Sequence, residues 1–314
     1  MSNDDIYKHK DIEPEVPEFI IEHDDEETET PKVAEEKLTF FQQHKWLRRL
    51  LKAVAVVLLV ALTLGAYKAW NYFNNIDNIG LSVSTTPEEN ISKLKTEPVK
   101  EIAKVITDSA TVLGVELDFY YIYGVRANIQ FEEPKLNDTS VYLYCRSVDH
   151  TVDSTYRGTL VVNGEEKQDD RSRLGYMAMV DDRMVIGVSR SEDVKDYVKE
   201  NGGSYFRQFV LVSDGVIPSH FDLHGKVERK AIGRKRMRGK DRLCFISTRN
   251  KETLWDFADA LREYGFIDAI YITGGTDYCY YRTADGKRHD IGNISDYPHK
   301  KYKGVIPWLV FRKR

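Results

Sequence analysis

The sequence predicts an α+β fold: a mixed, strand-rich domain behind a single N-terminal transmembrane helix. Three observations carry that reading. A nearly uncharged run, "AVAVVLLVALTLGAY", lies near the start. Seven later segments are dense in Val, Ile, Tyr and Phe. One amphipathic helical pattern, "NKETLWDFADALREYG", feeds directly into a strand and a glycine turn.

The chain has 314 residues, room for an extension and one substantial domain. Its net charge is only −4, but the charge is unevenly placed: residues 1–44 carry fourteen Asp and Glu against four Lys. Such a tail cannot bury enough apolar surface to offset the cost of ordering, so it is predicted to be disordered. It is read as a solubilising cytoplasmic segment, or as a handle for a basic cytoplasmic partner. Residues 45–70 are predicted to be a transmembrane signal anchor in the lipid bilayer. No charge falls between Ala53 and Tyr67. Counting from Leu50 to Trp70 reaches the roughly 20 residues a bilayer span requires. Lys52 and Lys68 sit near the ends, where their stems can snorkel, and Trp46, Tyr67 and Trp70 suit the interfaces. Lys45, Arg48, Arg49 and Lys52 lie on the N-terminal side. The N terminus is therefore expected in the cytoplasm, with the C-terminal domain periplasmic and the chain held in the inner membrane. A cleaved signal peptide fits poorly, because its basic region would lie 44 residues deep.

Residues 71–105 read as a polar stalk, in which Thr86, Pro87, Glu88 and Glu89 mark a helix start. The globular domain is placed at 106–314. Its strand-like runs are "DFYYIYGVRANIQF", "VYLYCRSV", "YRGTLVVNG", "MAMVDDRMVIGVS", "YFRQFVLVSDGV", "RLCFISTR" and "DAIYITGG". Asn163-Gly164 and "VDDRM" read as hairpin turns. "SEDVKDYVKENGG" reads as a short helix with Ser191 as its cap. In 250–265, Leu254, Phe257, Leu261 and Tyr264 recur three and four apart, with Gly265 as the stop.

Cys145, Cys244 and Cys279 are odd in number, and each sits in a strand-like run. Buried free thiols are the plain reading, and a disulfide between two of them stays open outside the cytoplasm. No clear ligand set for a divalent metal emerges, so the cofactor is unassigned. Residues 226–242 carry nine Lys and Arg against two acids. No aromatic residues alternate with these charges, and the expected compartment is wrong for nucleic acid, which is not a predicted partner. A phosphate or phosphodiester site fits better. Arg229 and Arg234 are candidates to clamp a charged planar group, and His220 or His224 could move a proton beside it. The alternative for 235–242 is a solvated hairpin rim beside anionic lipid head groups.

The stretch "AIYITGGTDYCYYR", residues 269–282, begins as a strand and breaks at Thr273, Gly274 and Gly275. Two glycines allow a sharp turn and a close approach of backbone N–H groups to a ligand. Thr273, Thr276 and Asp277 then share one rim. A plain turn with Thr and Asp caps is the alternative.

In this order, "RKAIG" at 229–233 and "ALREYGFIDAIYITGGTDYCYY" resemble the phosphodiester glycosidase family. That is the family of the enzyme that uncovers mannose 6-phosphate by removing N-acetylglucosamine. The chain also resembles membrane-anchored members of the kind found in gut Bacteroidota. The family has an arginine-threonine-alanine-isoleucine-glycine strand. Further on it has a helix, then a strand ending in an asparagine-leucine-aspartate-glycine-glycine turn. The resemblance covers roughly residues 115–312. It implies a phosphodiester-glycosidase-like domain that hydrolyses a sugar-phosphate diester (glycosidic) bond in a glycan or envelope component. On that reading Asp277, His224 and Arg229 are catalytic, and Arg234, Thr273, Gly274, Gly275, Thr276 and Arg282 bind the substrate. Two departures stand out. Thr273 occupies the place of the family's strand-end aspartate. The family's early asparagine-glycine-glycine-phenylalanine-phenylalanine stretch gives way to "YCRSVDHTVDSTYRG", in which Asp149, His150, Asp153 and Arg157 are candidate replacement acid or base groups. Two further classes stay open: a non-catalytic glycan- or envelope-binding module, and a membrane-tethered structural protein.

Overall fold

Period-two runs of Val, Ile, Tyr and Phe place most of the ordered chain in strands, because branched and aromatic side chains fit a pleated, half-buried surface. The structure, a computed structural model, describes residues 45–75, 85–98, 100–151, 155–217, 225–300 and 304–314. The expected disordered tail, 1–44, lies outside the described residues. In chain order the elements are α1 (Lys45–Asn75), α2 (Pro87–Lys95), β1 (Lys104–Val112), β2 (Val115–Tyr123), β3 (Val125–Gln130), β4 (Val141–Arg146), β5 (Leu160–Val162), β6 (Glu165–Gln168), β7 (Gly175–Val180) and β8 (Arg183–Val188). They continue with α3 (Asp193–Glu200), β9 (Ser204–Gln208), β10 (Val210–Val212), β11 (Lys230–Met237), β12 (Lys240–Thr248), α4 (Leu254–Glu263), β13 (Asp268–Ile272), β14 (Cys279–Arg282), β15 (Arg288–Ile291) and β16 (Trp308–Lys313).

The strands form three sheets, ordered β1-β2-β12-β11-β13-β10, β15-β14-β4-β16-β3 and β6-β5-β9-β7-β8. Among the described residues every strand pairing is antiparallel. Antiparallel sheets with helices on their outer faces make an α+β domain, as the sequence predicts. All three sheets share one apolar core. Ile232, Phe245 and Ile270 enter it from the first sheet, Leu143 and Trp308 from the second, and Met177 and Phe206 from the third.

Helix α4 covers the other face of the first sheet, where Leu254, Phe257 and Leu261 meet Phe119, Ile246 and Phe266. It starts at Leu254 rather than at 250. Thr253 is the N-cap, in extended backbone, and its Oγ1 accepts from the Asp256 N–H at 3.0 Å. Helix α3 starts at Asp193 with Glu192, not Ser191, at its N-cap and no side-chain cap; Ser191 lies one residue further out, its Oγ accepting from the Asp193 N–H at 3.1 Å.

Helix α2 begins as the sequence predicts, with Thr86 in a capping box with Glu89 and Pro87 in the first turn. It is not a free stalk, however. Leu94 is wholly buried with Val161 and Tyr176 in a core cluster, and Asn90 Nδ2 donates to Tyr176 Oη at 2.6 Å. Residues 87–95 are therefore part of the folded body. All three cysteines are buried and free, so the disulfide left open by the sequence is not formed.

The chain divides into two units, Met1–Tyr72 and Phe73–Arg314. Helix α1 is continuous for 31 residues, and Val57, Leu59 and Leu62 on it are exposed. Its side chains are described at 49–50 and 52–68. Among the described residues no helix is long and apolar enough to cross a membrane.

Candidate functional site

The site grows from the junction of two sheets. Strand β13 ends at Ile272, directly across from Lys230, the first residue of β11. The chain then turns: the Asp277 N–H donates to Gly274 O at 3.0 Å. Gly274 has φ +81°, and a Cβ there would lie 2.7 Å from Asp277 Oδ2 and 2.9 Å from Arg146 Cδ. Only glycine fits that backbone and that space. A Cβ on Gly275 would strike the Glu228 carbonyl oxygen. The close backbone approach expected at this glycine is thus made to the protein's own chain, at the residue before Arg229.

Strand β4 of the second sheet ends beside this turn at Arg146, and the segment after it brings Asp149 and His150. Arg146 Nη1 donates to Asp277 Oδ2 at 2.5 Å, and the pair is only partly buried, at 15% and 25% side-chain exposure. Arg146 Nη2 lies 3.2 Å from His150 Nδ1. Among the described residues the buried Arg146 Nε–H has no hydrogen-bond partner. An orphaned buried donor costs about 1–3 kcal/mol, a cost that folds commonly tolerate at functional sites. The Thr273 hydroxyl makes a short hydrogen bond to the Asp149 carboxylate. Below the turn, the Lys230 ammonium donates to Asp277 O at 2.8 Å and lies 3.8 Å from Cys279 Sγ.

Burial, and then the Arg146 charge, push the His150 pKa below its ordinary value, against the pull of Asp149 and Asp277. A neutral imidazole beside two carboxylates and a guanidinium can accept or relay a proton near neutral pH. Among the described residues no group of three or more His, Cys, Asp and Glu side chains could hold a metal ion.

Of the residues singled out from sequence, Thr273, Gly274, Gly275 and Asp277 form the turn, and Thr276 is its exposed tip. Arg229 is adjacent but buried. Its Nε and Nη2 donate to Glu252 O at 3.0 Å and Gly225 O at 2.8 Å, and its guanidinium faces the Tyr271 ring. Arg234 sits five residues further on, in β11, ion-paired to Asp268 and Asp241. Arg282 donates to four carbonyls, those of Val141, Gly286, Leu136 and Asp138. Neither Arg234 nor Arg282 contacts the turn, because each guanidinium is spent where its own strand places it. His220 and His224 lie outside the described residues. Asp149 and His150, which sequence spacing left open, are brought to the turn. Arg146 and Lys230 were not singled out. The available signal was their position as the last residue of "VYLYCR" and the first of "KAIGRKRM", each at a strand end facing the break in β13.

No protein-family model matches the chain, and no curated protein matches it. Among solved structures it is similar to the catalytic domain of zebrafish N-acetylglucosamine-1-phosphodiester alpha-N-acetylglucosaminidase, auto-inhibited by its pro-peptide. The identity is 14%, covering 71% of this chain and 86% of that one, with a TM-score of 0.45. It is also similar to a hypothetical protein from Synechocystis, at 10% identity over 69% of this chain and 64% of that one, with a TM-score of 0.44. Likenesses this remote carry neither an activity nor a ligand across to this chain.

Proposed function

We propose that the domain is an extracytoplasmic hydrolase of a sugar-phosphate diester bond, working at the turn that ends β13. The observation that supports this best is the meeting of Asp149, Asp277, Arg146 and His150 around Thr273 and Gly274. Two carboxylates, a guanidinium and a neutral imidazole are the groups that acid–base cleavage beside a phosphate uses. Arg146, rather than Arg234 or Arg282, is the cation placed to meet a phosphate oxygen. Asp277, held by Arg146, is the base or acid. Asp149 supplies a carboxylate at the Thr273 hydroxyl, the position at which the resembled family carries an aspartate on the strand itself. The acid would thus come from the end of β4 instead of the end of β13.

A second reading, ligand binding without turnover, is favoured by Arg229, whose donors are spent on backbone carbonyls. A panel of sugar-phosphate diesters assayed for both binding and hydrolysis separates the two. A hydrolase loses turnover in Asp277→Asn and in Asp149→Asn while keeping substrate affinity within a few-fold. A binder shows affinity that falls in Arg146→Ala, and no product with any substrate. Wild-type binding and hydrolysis in Arg146→Ala would remove the site.

Helix α1 is proposed as the anchor that holds this domain outside the cytoplasm. The uncharged run between Ala53 and Tyr67, with Lys52 and Lys68 at its ends, supports that reading.

A further inference from the structure

A second site is built at the other end of β11. A cavity of about 610 Å³ opens there, walled by the β11–β12 hairpin, by Lys93 of α2 and by Met184 and Ile186 of β8. Lys230 and Arg234 are four residues apart on one strand, which puts this cavity about 13 Å or more from the β13 turn. The 273–277 turn contributes no lining residue.

Six of the lining side chains are cationic, and two, Glu101 and Asp241, are acidic. The acids hold the guanidiniums in place. Glu101 takes both Arg242 Nη atoms, at 2.8 and 2.9 Å. Asp241 accepts from Arg234 at 2.7 Å and from Arg236 at 2.9 Å. Asp268, behind the wall, accepts from Arg234 Nε at 2.8 Å. With Asp268 behind the wall and Glu89, whose charge also reaches Lys93, the six lining cations face four carboxylates. Among the described residues Lys93 has no ion-pair partner. Lys93 is exposed as a residue, but partial desolvation of its ammonium, and then the Arg234 charge, lower its pKa. A cavity that confines excess positive charge around fixed guanidinium edges is suited to an anion with several oxygens.

We propose that this cavity binds a phosphate-bearing ligand, with Lys93 and Lys240 supplying the mobile charge and Arg234 and Arg242 the fixed edges. Its volume falls within the usual range for small-ligand sites. The phosphate has two chemical sources, a soluble phosphorylated compound or a phospholipid head group. The partly buried Met184 and Leu243 beside the cations give an apolar wall that either could cover. The proposal is independent of the hydrolase reading.

The test is isothermal titration calorimetry on the full chain in neutral detergent. The probes are inorganic pyrophosphate, glycerol 1-phosphate and a water-soluble short-chain phosphatidylglycerol, with sulfate at matched ionic strength as the reference. At least one phosphate probe should bind more tightly than sulfate. Lys93→Ala and Lys240→Ala should each weaken it about tenfold. Both lysines are exposed, so these variants should keep the wild-type melting temperature. Binding of glycerol 1-phosphate identifies a soluble phosphate compound, and binding of the lipid alone identifies a head group. Two results overturn the proposal. One is an affinity for every phosphate probe equal to that for sulfate. The other is full binding in Lys93→Ala and Lys240→Ala together with loss in Arg146→Ala, which would move the phosphate to the β13 turn.

Discussion

At Gly275 the whole geometry of the candidate site hangs on a missing methyl group. A Cβ there would overlap the Glu228 carbonyl, so either the turn or the entry to β11 must move. Overpacking against backbone costs typically about 1–3 kcal/mol. Gly275→Ala should lose stability of that order, read as a lower urea midpoint at unchanged m, and should weaken ligand binding by displacing Asp277 from Arg146. An unchanged midpoint would mean that the 228 segment yields freely. His150 gives a prediction in pH. Its pKa in the folded chain is lowered from 6.5, so the unfolded chain takes up the proton first as pH falls. Above about 6.5 both states are neutral and stability is unaffected. Below it stability falls until the folded His150 is itself protonated. Melting temperatures between pH 8 and pH 5 should therefore drop less in His150→Gln than in the wild type. Parallel curves would show that His150 is no more hindered from charging in the fold than in the unfolded chain. Sequence alone named Asp277 and the glycines, because a broken strand is visible in composition. Arg146 was invisible for a different reason: its role depends on the second sheet meeting the first, and that contact spans 131 residues.

At the scale of elements, α4 was legible because its apolar residues repeat at helical spacing. Only its first turn was misplaced, by a cap whose extended backbone excludes residues 250–253 from the helix. Leu261 is wholly buried, so Leu261→Ala should cost about 2–5 kcal/mol in chemical denaturation. Leu94 tests the less expected element in the same way. If α2 belongs to the folded body, Leu94→Ala should also lose about 2–5 kcal/mol, whereas a detached stalk would leave the midpoint unchanged. Helix α2 was readable as a helix and misleading as a spacer. Its cap is a local signal, but the partner of Leu94 lies in strands 67 or more residues further on. Strand β16 was missed altogether. "WLVFRK" is short and ends in charges, and nothing local marks it as the strand that pairs with both β3 and β4.

At the scale of the molecule, the anchor proposed for α1 carries an orientation, set by Lys45, Arg48, Arg49 and Lys52 on its N-terminal side. A cysteine introduced at Ser2 should resist a membrane-impermeant maleimide applied outside intact inner membranes, whereas one introduced at Arg238, on the exposed β11–β12 tip, should react. Reaction at Ser2 alone would reverse the topology. The experiment has a quiet background, because Cys145, Cys244 and Cys279 are all buried. Burial raises the pKa of each thiol, which further suppresses reaction.

Lys230 adds a consequence of its own. Its ammonium grips the Asp277 carbonyl from below, while the Glu228 backbone presses on Gly275 from the side. The turn is thus held by one hydrogen bond and closely approached by one stretch of backbone. A turn held this way should meet a ligand near its final shape, with little ordering entropy charged to the encounter. Association rates should then be nearly the same for every ligand that fits. Discrimination among them should appear in how long each one stays.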